Sequence, residues 1–356
     1  MVVTEETSHI YDNGQKSYNT ISKDTETGSI NNDPGCVVAG SGTLGIPYAL
    51  LQGGWISLIL LILSALMSTY TSIKLIECLG HGKDRKTSVS DLAYEAFGNI
   101  GLCVAGFFFN VISLGCPILY LVLSGDNLQT LFSNHGIDLG MQTWVFICAS
   151  TMCIPFVFLK TMKETAWLSM KKKKDWPKVV MLAKLTITSM YLLIGIPAYL
   201  TYGRSTKSPI YLSLPPGFIV DITMIMITIH VLSALPVYQT AFSLELEDYL
   251  FANISRESSK IILRTILRLT IVFFTVYIAI TVPYFTNIMS LLGAMGNGVL
   301  LMILPMLVWI KLFGWNNISS LEKVWAIFIL FFALFGAIVG TWDALSALSA
   351  EMIGGN

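Results

Sequence analysis

Residues 40 to 50 hold the chemistry most worth weighing. They read Gly40-Ser41-Gly42-Thr43-Leu44-Gly45-Ile46-Pro47-Tyr48-Ala49-Leu50, with three glycines and a proline inside eight positions. Each glycine costs a helix interior about 1 kcal/mol against alanine, and an interior proline about 3 kcal/mol. A continuous helix is therefore poor here. Inside a membrane protein the backbone groups freed by such a break must find partners, so the break is tolerated where it lines a cavity. Bared N–H groups at a helix start can hold a carboxylate, and bared carbonyls can hold a cation. The same spacing also suits a small-residue face on which another helix packs closely. The residues alone leave both readings open.

Other polar side chains sit inside otherwise apolar runs. His230 lies in Thr228-Ile229-His230-Val231-Leu232-Ser233 and is the one histidine in such a run. Imidazole titrates near neutrality, so His230, with Ser233 beside it, is the candidate ion-coupling pair. The competing reading is a histidine hydrogen-bonded within a helix bundle. Asn110 and Ser113 fall one turn apart, with Pro117 and Tyr120 further along. They suit a cavity wall, and equally an interhelical hydrogen bond. Pro236 predicts a kink, and Asn297 between Gly296 and Gly298 a flexible point. Asp126 and Glu245 read as charges at span ends. There is no HExxH, GxSxG or GxxxxGK[ST] motif, so nothing points to an enzyme. The six cysteines, Cys36, Cys78, Cys103, Cys116, Cys148 and Cys153, lack CxxC spacing. They read as free thiols in apolar surroundings, with no metal or other cofactor implied.

The elements that must position these residues follow from composition. Of 356 residues, 54% are hydrophobic and only 12% charged. Mean hydropathy is +0.68. A soluble domain carries about 25% charged residues, so there is too little polar surface for a water-facing shell. The formal net charge is +0, which gives no reason to expect nucleic acid as a partner. The partner implied is a lipid bilayer.

A bilayer core of about 30 Å takes about 20 helical residues. That ruler predicts an all-α polytopic membrane protein of about nine transmembrane helices. They fall near 36–54, 56–79, 101–131, 142–160, 178–202, 217–246, 261–282, 284–311 and 322–348. Residues 1–35 are polar and are expected to form a disordered cytoplasmic tail. The transmembrane domain then runs over 36–349, and 350–356 form a short non-cytoplasmic tail. Lysine and arginine set the orientation. Lys83, Arg85 and Lys86 follow the second span, Lys160 and Lys171 to Lys174 the fourth, Arg256, Lys260, Arg264 and Arg268 the sixth, and Lys311 and Lys323 the eighth. The opposite loops hold only Arg204 and Lys207. The N-terminus is therefore expected in the cytoplasm. The sequons at Asn253 and Asn317 then lie where no glycan is added, and a glycan on either overturns this topology. Trp55, Trp144, Trp176, Trp315, Trp325 and Trp342 near span ends suit interfacial anchoring.

The stretch GSGTLGIPYALLQGGW at 40–55 resembles the first transmembrane helix of the amino acid/auxin permease family. Further segments match that family in order: IKLIECL at 73–79, LKTMKETAWLSM at 159–170, KKKKDWPKVV at 171–180, YLLIGIPAYLTYG at 191–203, SPIYLSLP at 208–215 and PYFTNIMSLLGAMGN at 283–297. The resemblance covers nearly all of the chain past residue 36. It implies a LeuT-like fold of two inverted five-helix repeats plus an eleventh helix. It also implies secondary active amino acid transport, proton- or Na⁺-coupled, as symport or antiport by alternating access. The membrane expected is of vacuolar, lysosomal or plasma type. Gly40, Ser41, Gly42, Thr43 and Asn110 would then contact the amino acid, and His230 with Ser233 the coupling ion. The chain departs from the family at Met170, which abuts Lys171. Two helices that family members carry there are missing, about 75 residues with their loops. Asp33-Pro34-Gly35 also shortens the first span, where the family shows further apolar residues. These departures raise an alternative: a truncated, non-transporting form that associates with full-length relatives.

Overall fold

The computed structural model describes residues 42–80, 89–158, 176–251 and 257–354. Among them every regular element is a helix. The order is α1 (Thr43–Leu79), α2 (Val89–Ser133), α3 (Met141–Phe158), α4 (Trp176–Tyr202), α5 (Phe218–Phe251), α6 (Glu257–Thr281), α7 (Phe285–Phe313) and α8 (Ser320–Gly354). Seven of these are long and apolar enough to cross a membrane, and α3 is a shorter apolar helix. The chain is an all-helical, multi-pass membrane protein. The tail 1–35, the basic run Lys171 to Lys174 and the sequon at Asn253 lie outside the described residues.

The nine expected spans fall on eight helices because the first two share α1. They meet at Gly54, whose backbone stands at φ 59°, ψ −151°, while the residues on either side remain helical. Gly98 interrupts α2 in the same way, at φ 62°, ψ −144°. Only glycine holds such angles without strain, so two turns of direction need no loop. For α2 the break is also a matter of length. Its 45 residues would otherwise rise about 67 Å, twice the hydrocarbon thickness. Pro117 and Pro236 leave α2 and α5 continuous, with no non-helical backbone at either proline. At the far end α8 continues to Gly354, past the expected end of the last span.

In α7 the helix widens. Leu292–Asn297 and Val299–Ile303 are π-helical, between an ordinary turn at Phe285–Leu291 and an α-helix from Leu304. A π stretch withdraws carbonyls from the usual ladder. One of them, Leu301 O, accepts a 2.7 Å hydrogen bond from the Thr71 hydroxyl on α1. Thr71 is fully buried.

Two packed cores organise the bundle. In the first, α2, α3, α5 and α6 pack on one another and on the start of α7, around Tyr120, Val145, Leu235, Val276 and Leu292. In the second, the far half of α1 meets the start of α2, the end of α7 and α8, around Met67, Leu92, Trp309 and Ile329. Lipid is as apolar as leucine, so close packing has to replace the hydrophobic effect as the force between helices. Glycines provide it. A Cβ at Gly125 would lie 2.5 Å from Val145 Cγ2, one at Gly296 2.6 Å from Ile112 Cγ1, and one at Gly340 2.8 Å from Ala294 Cβ.

Helix α4 packs mainly on α1. The seam holds an edge-on pair, Trp55 and Tyr199, 5.8 Å apart, and Gly195, whose added Cβ would sit 2.8 Å from Ile46 Cγ2. Ile46 is β-branched and stiff. Gly195→Val is therefore expected to cost about 1–3 kcal/mol through overpacking, read as a lower unfolding temperature in detergent.

Candidate functional site

Described structure begins at the candidate stretch itself. Gly42 already has helical backbone, at φ −59° and ψ −35°, and α1 then runs through Gly45 and Pro47 to Gly54 without the break that these residues predict. Thr43, Leu44 and Gly45 are buried at once. Leu44 belongs to the first core with Ile112, Cys116 and Tyr120 of α2, Leu235 of α5 and Leu292 of α7. Gly45 faces Met289, whose Cε would lie 2.3 Å from an added Cβ. Thus the first described turn of α1 lies inside the protein, with Leu44 in the first core and Gly45 against Met289 of α7. Gly40 and Ser41 lie outside the described residues.

The other candidates are spread along the neighbouring helices. Asn110 is half-buried on α2, and Ser113, one turn on, is buried. Ile112 between them meets Gly296 in the π-helical part of α7. The Asn297 side-chain oxygen there is buried and accepts no hydrogen bond among the described residues. Tyr120 is buried against Tyr238 of α5, ring centroids 6.1 Å apart and edge-on. Beyond it the Gln239 amide donates to the Thr275 hydroxyl of α6 at 3.1 Å. His230 and Ser233 stand on an exposed face of α5, and the Ser233 hydroxyl donates to Ile229 O at 2.7 Å. The structure therefore buries Thr43 and Ser113, half-buries Asn110, and leaves His230 and Ser233 on an exposed face.

Three polar clusters escaped the sequence reading. The connection between α4 and α5 turns inward at Tyr211, which is buried, and its hydroxyl donates to Asn127 Oδ1. Asn127 Nδ2 in turn donates to Thr228 Oγ1 at 3.1 Å, joining α2, α5 and the connection. At the other end of α5, Glu247 is 3% exposed and takes two arginines. Arg268 Nε donates to Oε1 and Arg264 Nε to Oε2, both at 2.7 Å. Arg268, counted above as a loop charge, lies in α6 and is 0% exposed. Its Nη1 also donates to Phe156 O of α3 at 2.8 Å. The third cluster surrounds Lys74 and is taken up below.

Surface features carry less. A cleft of about 500 Å³ opens between α3 and α6, lined by Phe146, Ala149, Cys153, Leu269 and Phe273. Its polar lining is slight, and it suits an acyl chain better than an amino acid. Cys78, Cys116 and Cys148 are buried free thiols, while Cys103 is exposed. No group of three or more metal-ligating side chains occurs among the described residues.

A polytopic bundle of long apolar helices defines an integral, multi-pass membrane protein. A family profile described as "Transmembrane amino acid transporter protein" matches residues 36–172 and 169–346. The chain belongs to that family. It is 26% identical to the amino acid transporter AVT1J of Arabidopsis thaliana, over 86% of this chain and 88% of that protein. It is 25% identical to the amino acid transporter AVT1I of the same plant, over 86% of this chain and 91% of that protein. The first alignment runs over 381 positions but takes in 86% of these 356 residues, or about 306, so about 75 positions have no counterpart here. The two profile matches meet at 169–172, the junction of Met170 and Lys171.

Proposed function

We propose that this protein moves amino acids across a membrane as a secondary active transporter working by alternating access. The family match across residues 36–346 carries the reading. Support comes from α1, whose first described turn is buried at Thr43 and Leu44, with Leu44 in the first core. There Gly40 to Thr43 would cradle the substrate's carboxylate, with Asn110 on the facing helix. Inverted repeats of the LeuT type would supply the rocking motion. A proton or Na⁺ gradient would drive it, and a 100 mV potential adds about 2.3 kcal/mol per charge, enough for tens-fold accumulation.

His230 and Ser233 would serve the coupling ion. A histidine and a hydroxyl facing hydrocarbon at mid-span are costly, so that face of α5 would be covered by something polar in the working protein. The roughly 75 positions absent from this chain would supply such a cover in relatives.

The test is uptake of labelled neutral amino acids into proteoliposomes under an imposed pH or Na⁺ gradient. Accumulation is expected under one gradient and is lost with the matching ionophore. His230→Ala is expected to lower gradient-driven accumulation at least about tenfold while exchange at equal ion concentrations persists. Equal accumulation by both proteins would remove His230 from the coupling path. No gradient dependence would overturn secondary active transport.

A further inference from the structure

The third cluster lies where α1, α7 and α8 converge. Lys74 on α1 sends its ammonium to Glu322 Oε1 of α8 at 3.0 Å and to Glu77 Oε2, one turn along α1, at 3.2 Å. The same nitrogen stands 4.6 Å from the ring centroid of Trp309 on α7 and 5.4 Å from that of Tyr70 on α1. Trp325 of α8 meets Tyr70 edge-on at 6.4 Å. The Lys74 side chain is only 11% exposed. Two carboxylates and two aromatic faces around one largely dehydrated ammonium form a strong cation cage, in which the charge–ring attraction grows as water is excluded.

The cage is held in register from the α8 side. Ser319 caps that helix, receiving the Glu322 backbone N–H at 3.4 Å and donating to Glu322 Oε2 at 2.9 Å. One carboxylate oxygen is thereby tied to the helix cap, and the other is aimed at Lys74. On the α1 side the Thr71–Leu301 bond, just short of one turn before Lys74, anchors α1 to the π-helical stretch of α7. Lys74 is therefore the point at which one cation ties α1 to two other helices. Without it Glu77 and Glu322 face one another as like charges.

We propose that Lys74 is a positioning residue: a charge latch that holds the far end of α1 against α7 and α8 in one conformation and must release for α1 to move. The consequence for transport rests on the function proposed above, but the latch itself can be read without transport. Cys78, one turn beyond Lys74, is fully buried in the second core and reports opening through its reactivity with a thiol reagent. The experiment uses the full-length chain with the other five cysteines replaced by serine or alanine, reconstituted in liposomes, and measures the alkylation rate of Cys78. In Lys74→Met and in Glu322→Gln the rate is expected to rise about tenfold, the shift set by a lost charge-assisted hydrogen bond. In Lys74→Arg, which keeps the charge and can stack on Trp309, the rate is expected to stay near the parent value. Far-ultraviolet circular dichroism checks that each variant remains folded. Equal labelling in all folded variants would overturn the latch, as would labelling raised in Lys74→Arg as much as in Lys74→Met. If Cys78 responds as expected while no variant transports, the latch stands and the transport reading fails.

Discussion

Replacing Glu247 by alanine is expected to cost about 3–5 kcal/mol of stability, because it strands a buried guanidinium. Glu247 is 3% exposed and Arg268 0%. Removing one partner leaves the other charge in a medium that cannot solvate it. The same substitution at Arg264, whose side chain is 35% exposed, should cost under about 1 kcal/mol, since water compensates the lost pair. The double replacement Glu247→Leu with Arg268→Met is expected to recover part of the loss, because a buried ion pair and an apolar pair of similar volume differ little. Recovery is incomplete, since Phe156 O still loses the donor that Arg268 supplies. Unfolding in detergent measures all four proteins. A Glu247→Ala loss no larger than that of Arg264→Ala would show that the cluster is solvated.

The next largest effect is expected at Asn127, which is 1% exposed. Asn127→Leu keeps the volume but strands two buried hydroxyls, those of Tyr211 and Thr228. At about 1–3 kcal/mol for each unpaired group, discounted for relaxation, the loss is about 2–4 kcal/mol. Adding Tyr211→Phe to Asn127→Leu removes one orphan and should restore about 1 kcal/mol. The effect is also local: freed from Asn127, the connection between α4 and α5 should become sensitive to protease before the helices melt. An unfolding temperature within a degree of the parent protein would contradict this account.

Hydropathy made the helices legible. Runs of about 20 apolar residues can do little else in a membrane, and every expected span within the described residues is helical. The join at Gly54 was not legible, because glycine is common within transmembrane helices and its positive φ leaves no mark on composition. Arg268 was misread for a related reason. Counting Lys and Arg as loop charges works on average, but Arg268 lies well inside α6, and its partner is 21 positions back on another helix. At 40 to 50 the glycines and proline were readable as a place of intrinsic helix cost, but the break they predict is not seen from Thr43 on, where α1 runs unbroken through Gly45 and Pro47. Asn127, Tyr211 and Thr228 were not, because each alone is an ordinary polar residue and only the inward turn of the α4–α5 connection joins them. The internal gap at Met170 was readable through resemblance, and the roughly 75 unmatched alignment positions agree with it in size.

The central claim is that this chain, at its present length, carries amino acids. Counterflow tests it most directly, because exchange needs neither a gradient nor a known coupling ion. Purified protein is reconstituted in liposomes loaded with a millimolar mixture of unlabelled neutral amino acids, and trace labelled alanine or leucine is added outside. The account predicts that label accumulates transiently inside, well above protein-free liposomes, and that unlabelled amino acid added outside suppresses it. Label entering at the protein-free rate across the whole amino acid panel, from protein that circular dichroism shows to be helical, would contradict it.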